Sequence, residues 1–333
     1  MLVLGIETSC DECSVALVED GVRIYSNIIA SQVELHKLYN GVVPEIASRL
    51  HIRWISRVTQ IALSQAGKTF KDVNGIAVTS HPGLLGSLLV GVNFAKGLSM
   101  SLDIPLIGID HIRAHLYAPQ IENYMDYPYL GVLLSGGHTF FCIVKSYDDI
   151  EIIGTTVDDA IGEVYDKIAK YYDLGYPGGV KVDFLARQGD PFAFLFPGSD
   201  IKNPVHKYDV SYSGLKTAVI NQADNFLVRG KEKSSANLCA SFQRVAVGMI
   251  MKRLRKALRE TGIKRVSAGG GVSANSLVRS SLTALKDEGY EVSFPSLKLC
   301  TDNAAMVAGL GYLYLRDNVT SSEDLDAYAS FRC

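Results

Sequence analysis

Three short strands joined by two tight polar turns open this chain, and the same pattern returns from residue 129 onward. Apolar alternation predicts strands at 2–7, 13–18 and 22–30. The small polar loop Thr8-Ser9-Cys10-Asp11-Glu12 forms the first turn and Asp20-Gly21 signals the second. A helix at 44–65, a strand at 75–79, a helix at 84–102 and a strand at 106–109 follow. The return has strands at 129–134, 140–145 and 151–155, with Ser135-Gly136-Gly137-His138-Thr139 as its first turn and a helix at 160–172 behind them. A chain of 333 residues exceeds what a single core usually serves. The repeat therefore predicts two lobes of related build, 1–125 plus 297–333 and 126–296, the second carrying a helical insertion at about 179–226. A long helix at 237–260, a strand at 265–268 and a last helix at 303–316 complete the chain, the last returning to the first lobe.

Two lobes that each begin with a three-stranded meander and a small first turn describe an α/β fold of the actin-like ATPase kind, a duplicated ribonuclease-H-like architecture. Each first turn offers backbone N–H groups, unobstructed by large side chains, to a phosphate between the lobes. Ser9 lies in one turn, and Ser135, Gly136 and Gly137 in the other. Taken alone, Ser-Gly-Gly reads first as an ordinary hairpin turn; the duplication weakens that reading. In Gly175-Tyr176-Pro177-Gly178-Gly179-Val180-Lys181-Val182-Asp183, paired glycines allow close backbone approach and Asp183 can accept from ribose hydroxyls, although a plain turn before a helix looks similar. Gly269-Gly270-Gly271-Val272-Ser273-Ala274-Asn275 suits an adenine lying on backbone, with Asn275 as polar contact. It is not G-x-G-x-x-G, so a dinucleotide fold is not indicated. Asp159, Glu163 and Asp166 are spaced to share one helix face, which suits either a solvated helix or a cleft acid at Asp166.

His111 and His115 stand four apart in Asp110-His111-Ile112-Arg113-Ala114-His115, a spacing that projects both from one helix face toward a shared metal. Histidines so spaced are also common as ordinary helix residues; a third ligand would decide, and Asp302, at the start of an apolar helix, is the conspicuous candidate. The glutamate that H-E-x-x-H proteases place after the first histidine is replaced by Ile112, so hydrolysis by that route has no general base.

Lys+Arg (33) nearly balance Asp+Glu (35), so a nucleic-acid partner would be held by a local patch or helper proteins. The basic run Lys252, Arg253, Arg255, Lys256, Arg259, Lys264 and Arg265 is one such patch, or simply a solvated helix face. Six scattered cysteines complete no zinc ribbon and read as reduced thiols. Glu7 interrupts the initial apolar run and no later apolar segment is expected to reach membrane-spanning length, so a soluble cytoplasmic enzyme with no membrane partner is expected.

Together these motifs resemble the tRNA threonylcarbamoyladenosine transferases of the TsaD type, once called O-sialoglycoprotein endopeptidases. The likeness runs nearly end to end, through Gly5 to Glu12, Gly41 to His51, the histidine pair, Ser135 to Thr139, Ser213-Gly214-Leu215-Lys216-Thr217, Ala240 to Gln243 and Thr301 to Met306. Ser9-Cys10-Asp11-Glu12 and the histidine of Ser-Gly-Gly-His resemble the bacterial and organellar branch. The resemblance implies transfer of threonylcarbamoyl from threonylcarbamoyl-AMP to N6 of tRNA adenosine 37, in tRNAs reading ANN codons, with release of AMP. It implies that His111, His115 and Asp302 hold one divalent iron or zinc ion. It also implies that Ser9, Leu133, Leu134, Ser135, Gly136, Gly137, Asp166, Gly179, Asp183, Gly270, Gly271 and Asn275 bind an adenine nucleotide (threonylcarbamoyl-AMP, ATP or AMP, with or without Mg). Glu12 and His138 become the candidate catalytic residues. The implied partners are tRNA, a TsaB-type dimerisation protein and a TsaE-type ATPase, with a TsaC-type enzyme supplying the intermediate. A glycoprotein-cleaving metalloprotease and a nucleotide-dependent scaffold are the competing readings. Val180, where the family often has proline, puts the local loop geometry in question, and Asp110 is expected to orient a histidine.

Overall fold

Alternation along the first strand decides what each of its faces receives. In this computed structural model, which describes residues 1–199, 201 and 203–330, β1 (Leu2–Glu7) is buried throughout. Leu2, Leu4 and Ile6 enter a core with Ile55, Val58, Leu88 and Val92, while Gly5 faces the other way, against Ala304 and Ala308. Burial on both faces explains why β1 reads as an unbroken apolar run. β2 (Glu12–Glu19) and β3 (Arg23–Ser31) pair antiparallel to complete the meander. After the short α1 (Val33–His36) come α2 (Pro44–Ala66), started by Pro44 in its first turn and closed by Gly67 in the left-handed region, β4 (Gly75–His81), α3 (Leu85–Leu102), β5 (Leu106–Asp110) and α4 (His111–Glu122). The sheet order is β3-β2-β1-β4-β5, with β4 and β5 parallel to β1.

The second sheet repeats this plan. β6 (Tyr129–Leu134), β7 (Thr139–Val144) and β8 (Ile150–Thr155) form the meander, and α5 (Ile161–Tyr171) and α6 (Gly178–Ala186) follow. The insertion holds α7 (Ser213–Asn221) and α8 (Ala223–Phe226), and then come α9 (Ser235–Thr261), β9 (Arg265–Gly269), α10 (Ser276–Thr283) and β10 (Glu291–Ser293). The order β8-β7-β6-β9-β10 matches the first sheet strand for strand, including which neighbours are parallel. At three residues, β10 is too short to register as alternation in the sequence.

The chain divides into two compact units, one of Met1–Tyr124 with the segment from Pro295 onward and the other of Met125–Phe294. α11 (Leu297–Cys300) and α12 (Ala304–Arg316) bring the end of the chain back onto the first sheet. Small residues allow it: a Cβ on Gly5 would lie 2.3 Å from the Ala304 carbonyl oxygen, and one on Gly311 would lie 2.3 Å from Ala77 Cβ.

One expectation needs correcting. By length and composition alone, α3 is apolar enough to cross a membrane. It also carries Asn93 and Lys96, and it sets Leu88, Val92 and Ala95 into the first core.

Candidate functional site

His111 and His115 occupy the first and fifth positions of α4, directly beyond the carboxyl end of β5. Parallel strands leave their ligands at such ends, where side chains of neighbouring strands converge. Asp302 reaches them from the segment between α11 and α12. Its Oδ1 lies 3.0 Å from His115 Nε2 and 3.6 Å from His111 Nε2, and the ligand atoms of all three lie within 4.8 Å of one another. The segment is pinned by Asn303, whose Nδ2 donates to the carbonyls of Leu299 and Thr301 while its Oδ1 caps α12, and by Ala304 N–H donating to Ser14 Oγ. Two imidazole nitrogens and one carboxylate oxygen, converging from rigid elements, fit a first-row divalent ion. Ile112, which stands where a protease carries its base, is only 2% exposed.

The acid that engages the pair from behind is not Asp110. Asp110 Oδ1 accepts from Ile112 and Arg113 N–H, capping α4, and its Oδ2 faces His81 Nε2 at 3.4 Å. Glu7, at the end of β1 and fully buried, lies with Oε2 3.0 Å from His111 Nδ1. The sequence signal was available, because an acid ending an otherwise apolar buried strand is costly unless partnered.

Burial alone would keep the His111 ring neutral, but the charges of Asp302, Glu7 and Asp110 outweigh it and raise its pKa to about 9. The metal-free ring is therefore protonated at neutral pH, and an ion must displace that proton. Zinc affinity is expected to rise about tenfold per pH unit from neutrality and to level off near pH 9; chelator competition across that range measures it. In the metal-free chain the sign for stability is opposite. The charged ring adds stability that is complete below the unfolded value of 6.5 and is lost as the pH rises through about 9.

In the second unit, hydrogen bonds and close backbone approaches link several of the predicted nucleotide residues to their neighbours. The Ser135-to-His138 turn closes through Ser135 N–H on His138 O (2.9 Å) and His138 N–H on Ser135 Oγ (3.0 Å). α5 abuts it, with Gly162 N–H donating to Ser135 O. Gly136 and Gly137 are exposed, neither has positive φ, and a Cβ on either would meet nothing within 4 Å. Packing does not require glycine there, and the bare backbone leaves the turn with an open face. Gly270 is different, having φ +87° and a Cβ position 2.5 Å from Leu134 O. Leu133 and Leu134 are fully buried, so they could offer a ligand only their backbone.

Asp166 accepts from Gly178 N–H at 2.8 Å and so holds the start of α6, with burial pushing its carboxyl up. Asp159 precedes α5 and is ion-paired with Lys167 and Lys216, so the three acids do not form one free face. Val180 sits exposed in the first turn of α6, a position where proline and valine are equally accommodated, which removes the question over that loop. Asp183 and Asn275 are buried and already engaged. Asp183 Oδ1 accepts from Gln243 Nε2, Ser276 N–H and Ser276 Oγ, and its Oδ2 from Arg187. Asn275 caps α10 and donates to Gln243 Oε1 at 2.9 Å. Gln243, on α9, ties the two together and was singled out only as part of a motif.

Glu12 begins β2 and accepts from Ser31 Oγ; burial, Asp302 and Asp11 raise its carboxyl to about 9. His138 lies in the other unit, beside Phe140. Gly179 and Gly271 have open space where a Cβ would be. Much of the basic run is spent internally: Arg253 donates to Asp209 O, Arg255 pairs with Glu288, and Arg265 with Glu291 and Asp126. Burial pushes Cys13, Cys142 and Cys239 to about 12, which leaves them as packing groups, and Cys333 lies outside the described residues.

A sequence-family model described as TsaD, tRNA N6-adenosine threonylcarbamoyltransferase, matches residues 23–309. A Treponema denticola protein named tRNA N6-adenosine threonylcarbamoyltransferase is 56% identical over 316 residues, 95% of this chain and 93% of that one. A Borrelia hermsii protein of the same name is 50% identical, covering 95% and 93%. Among solved structures, full-length HypF in its phosphate- and nucleotide-bound form aligns with TM-score 0.63 at 15% identity, over 96% of this chain and 47% of that one. Component A of the Acidaminococcus fermentans (R)-2-hydroxyglutaryl-CoA dehydratase aligns with TM-score 0.56 at 15% identity, over 95% and 99%. At that identity the two structures speak for the fold alone, the actin-like ATPase fold. The sequence matches go further: this chain belongs to the tRNA N6-adenosine threonylcarbamoyltransferase family.

Proposed function

We propose that this chain transfers the threonylcarbamoyl group from threonylcarbamoyl-AMP to N6 of tRNA adenosine 37, forming N6-threonylcarbamoyladenosine in the cytoplasm. The observation that carries this reading is the 56% identity to a named transferase over nearly the whole of both chains. The convergence of His111, His115 and Asp302, with Ile112 where a protease carries its base, supports it. The carbamoyl carbon leaves a phosphate oxygen of AMP and bonds to N6, which gives up one proton. An iron or zinc ion held by His111, His115 and Asp302 would supply an electrophile for an oxygen of the acyl-adenylate. The rest falls to the chain: an acyl-adenylate is a mixed anhydride that already has a good leaving group, so it needs positioning more than activation.

Gly136 and Gly137 would give N–H groups to the phosphate, with Ser9 and Ser135 beside the two turns. Leu133, Leu134, Gly270 and Gly271 would offer backbone to the adenosine, and Asp166, Gly179, Asp183 and Asn275 would shape its pocket. Glu12, at the start of β2, would stand near the reacting end of the acyl-adenylate, and His138 suits acceptance of the N6 proton. A TsaB-type partner and a TsaE-type ATPase would complete the reaction system, fed by a TsaC-type enzyme.

The test is mass spectrometry of nucleosides from unmodified tRNA incubated with this chain, threonylcarbamoyl-AMP and the partner proteins, omitting one component at a time. Modified adenosine should appear only when this chain is present; its absence from every mixture, or its formation without the chain, overturns the reading. A Gly137→Ala arm isolates the phosphate turn. The added methyl meets open space, so thermal unfolding should be unchanged while AMP affinity falls roughly tenfold, about 1.4 kcal/mol. Calorimetric titration with AMP reads this, and unchanged affinity removes the turn from the nucleotide site.

A further inference from the structure

Three parallel neighbours, β1, β4 and β5, end side by side, and each places a polar group at its carboxyl end: Glu7, Thr79 and the Asp110-His111 junction. Glu7 is 0% exposed, yet both of its oxygens are used. Oε1 accepts from Ser9 N–H at 2.5 Å. Oε2 accepts from Thr79 Oγ1 at 2.5 Å and lies 3.0 Å from His111 Nδ1. Ser9 Oγ also lies 3.2 Å from the same Nδ1. A hydroxyl can donate or accept, but a carboxylate surrounded by donors only accepts. Nδ1 must then keep its proton, so the proton that an arriving ion displaces is the one on Nε2, the nitrogen facing Asp302. The other histidine has no such support: His115 Nδ1 is buried without a hydrogen-bond partner among the described residues.

We propose that Glu7 is a positioning residue that fixes His111 in the Nδ1–H tautomer and couples that ring to the backbone of the first turn at Ser9. This rests on the reading of His111, His115 and Asp302 as a metal site, and it assigns to the two histidines unequal parts. His111 is set before an ion arrives, whereas His115 is held by Asp302 alone at Nε2. The coupling also gives the first turn a stake in the metal. The carboxylate that receives Ser9 N–H is the one that receives the His111 ring, so a shift of the turn is felt at Nε2.

Glu7→Gln is the informative variant, because it keeps shape and removes one acceptor. Either orientation of the amide points its NH2 at a donor, at Ser9 N–H or at the Thr79 and His111 side. Zinc affinity by chelator competition is expected to fall 10- to 100-fold, with the far-ultraviolet circular dichroism of the metal-free protein unchanged. Zinc binding by Glu7→Gln within threefold of wild type overturns the inference while leaving the metal site intact. Wild-type protein that takes up no zinc overturns the metal reading and the inference with it. A second measurement does not need the variant to fold. In the zinc-loaded wild-type protein, nitrogen-15 imidazole spectra should show His111 protonated at Nδ1 and zinc-bound at Nε2, and a His111 protonated at Nε2 overturns the proposal.

Discussion

His115→Ala is expected to lose metal retention and threonylcarbamoyl transfer together, with the fold kept. His115 is 0% exposed and its Nε2 lies 3.0 Å from Asp302 Oδ1, so the substitution removes one of three converging ligand atoms and leaves Asp302 with His111 at 3.6 Å. Two ligands at that separation hold a first-row ion poorly. If the ion contributes several kcal/mol to the reaction, a loss of about 4 kcal/mol lowers the rate roughly a thousandfold. The checks are metal content after dialysis, nucleoside mass spectrometry of the tRNA product, and thermal unfolding against chelator-treated wild type. Wild-type tRNA modification by a metal-free His115→Ala protein would remove the metal from the chemistry and favour a scaffold.

Gly5→Ala should be the more damaging change to the fold, although it adds only one methyl. That carbon would lie 2.3 Å from the Ala304 carbonyl oxygen and 2.8 Å from both Ala308 Cβ and Ala308 N. Two of these three neighbours are helix backbone and cannot rotate aside, so α12 must lift from β1. Overpacking of this kind costs about 3 kcal/mol at the upper end of its usual range, or roughly 6–12 °C in Tm for a unit of this size. The effect should also reach the site. Asp302 stands two residues before α12, and lifting the helix draws its carboxylate from His115, so zinc affinity should fall with Tm. Gly97→Ala on the exposed side of α3 is the control: nothing lies within 4 Å of its Cβ, and alanine there should be neutral or slightly stabilising. Equal Tm for Gly5→Ala and wild type would show that the close approach of α12 is not needed.

The repeat was legible because a meander is written locally. Period-two alternation and Asp-Gly or Ser-Gly-Gly turns announce strands within a few residues, and the two sheets indeed match strand for strand. α4 was legible from the four-residue histidine spacing, and α12 from its apolar run after Asn303. β10 was missed because three residues carry no period. The face expected of Asp159, Glu163 and Asp166 failed because Asp159 lies outside the helix and pairs with lysines. On charge alone the basic run read as either an RNA patch or a solvated helix face; Arg253, Arg255 and Arg265 instead have acidic or carbonyl partners supplied by other segments.

The sequence by itself determined which groups the chain could bring to a site: two histidines on one helix face, an acid near the far end and glycines in matched turns. Each depends on neighbours two to four residues away. Only the tertiary structure decided which acid does what. Asp110 sits beside His111 in the chain but caps a helix, and Glu7, more than a hundred residues earlier, reaches its ring. Asp183 and Asn275 read as free ligand contacts but are joined through Gln243. The reason is that strand register and the closeness that Gly5 permits α12 set which side chains meet, and neither is expressed in local spacing.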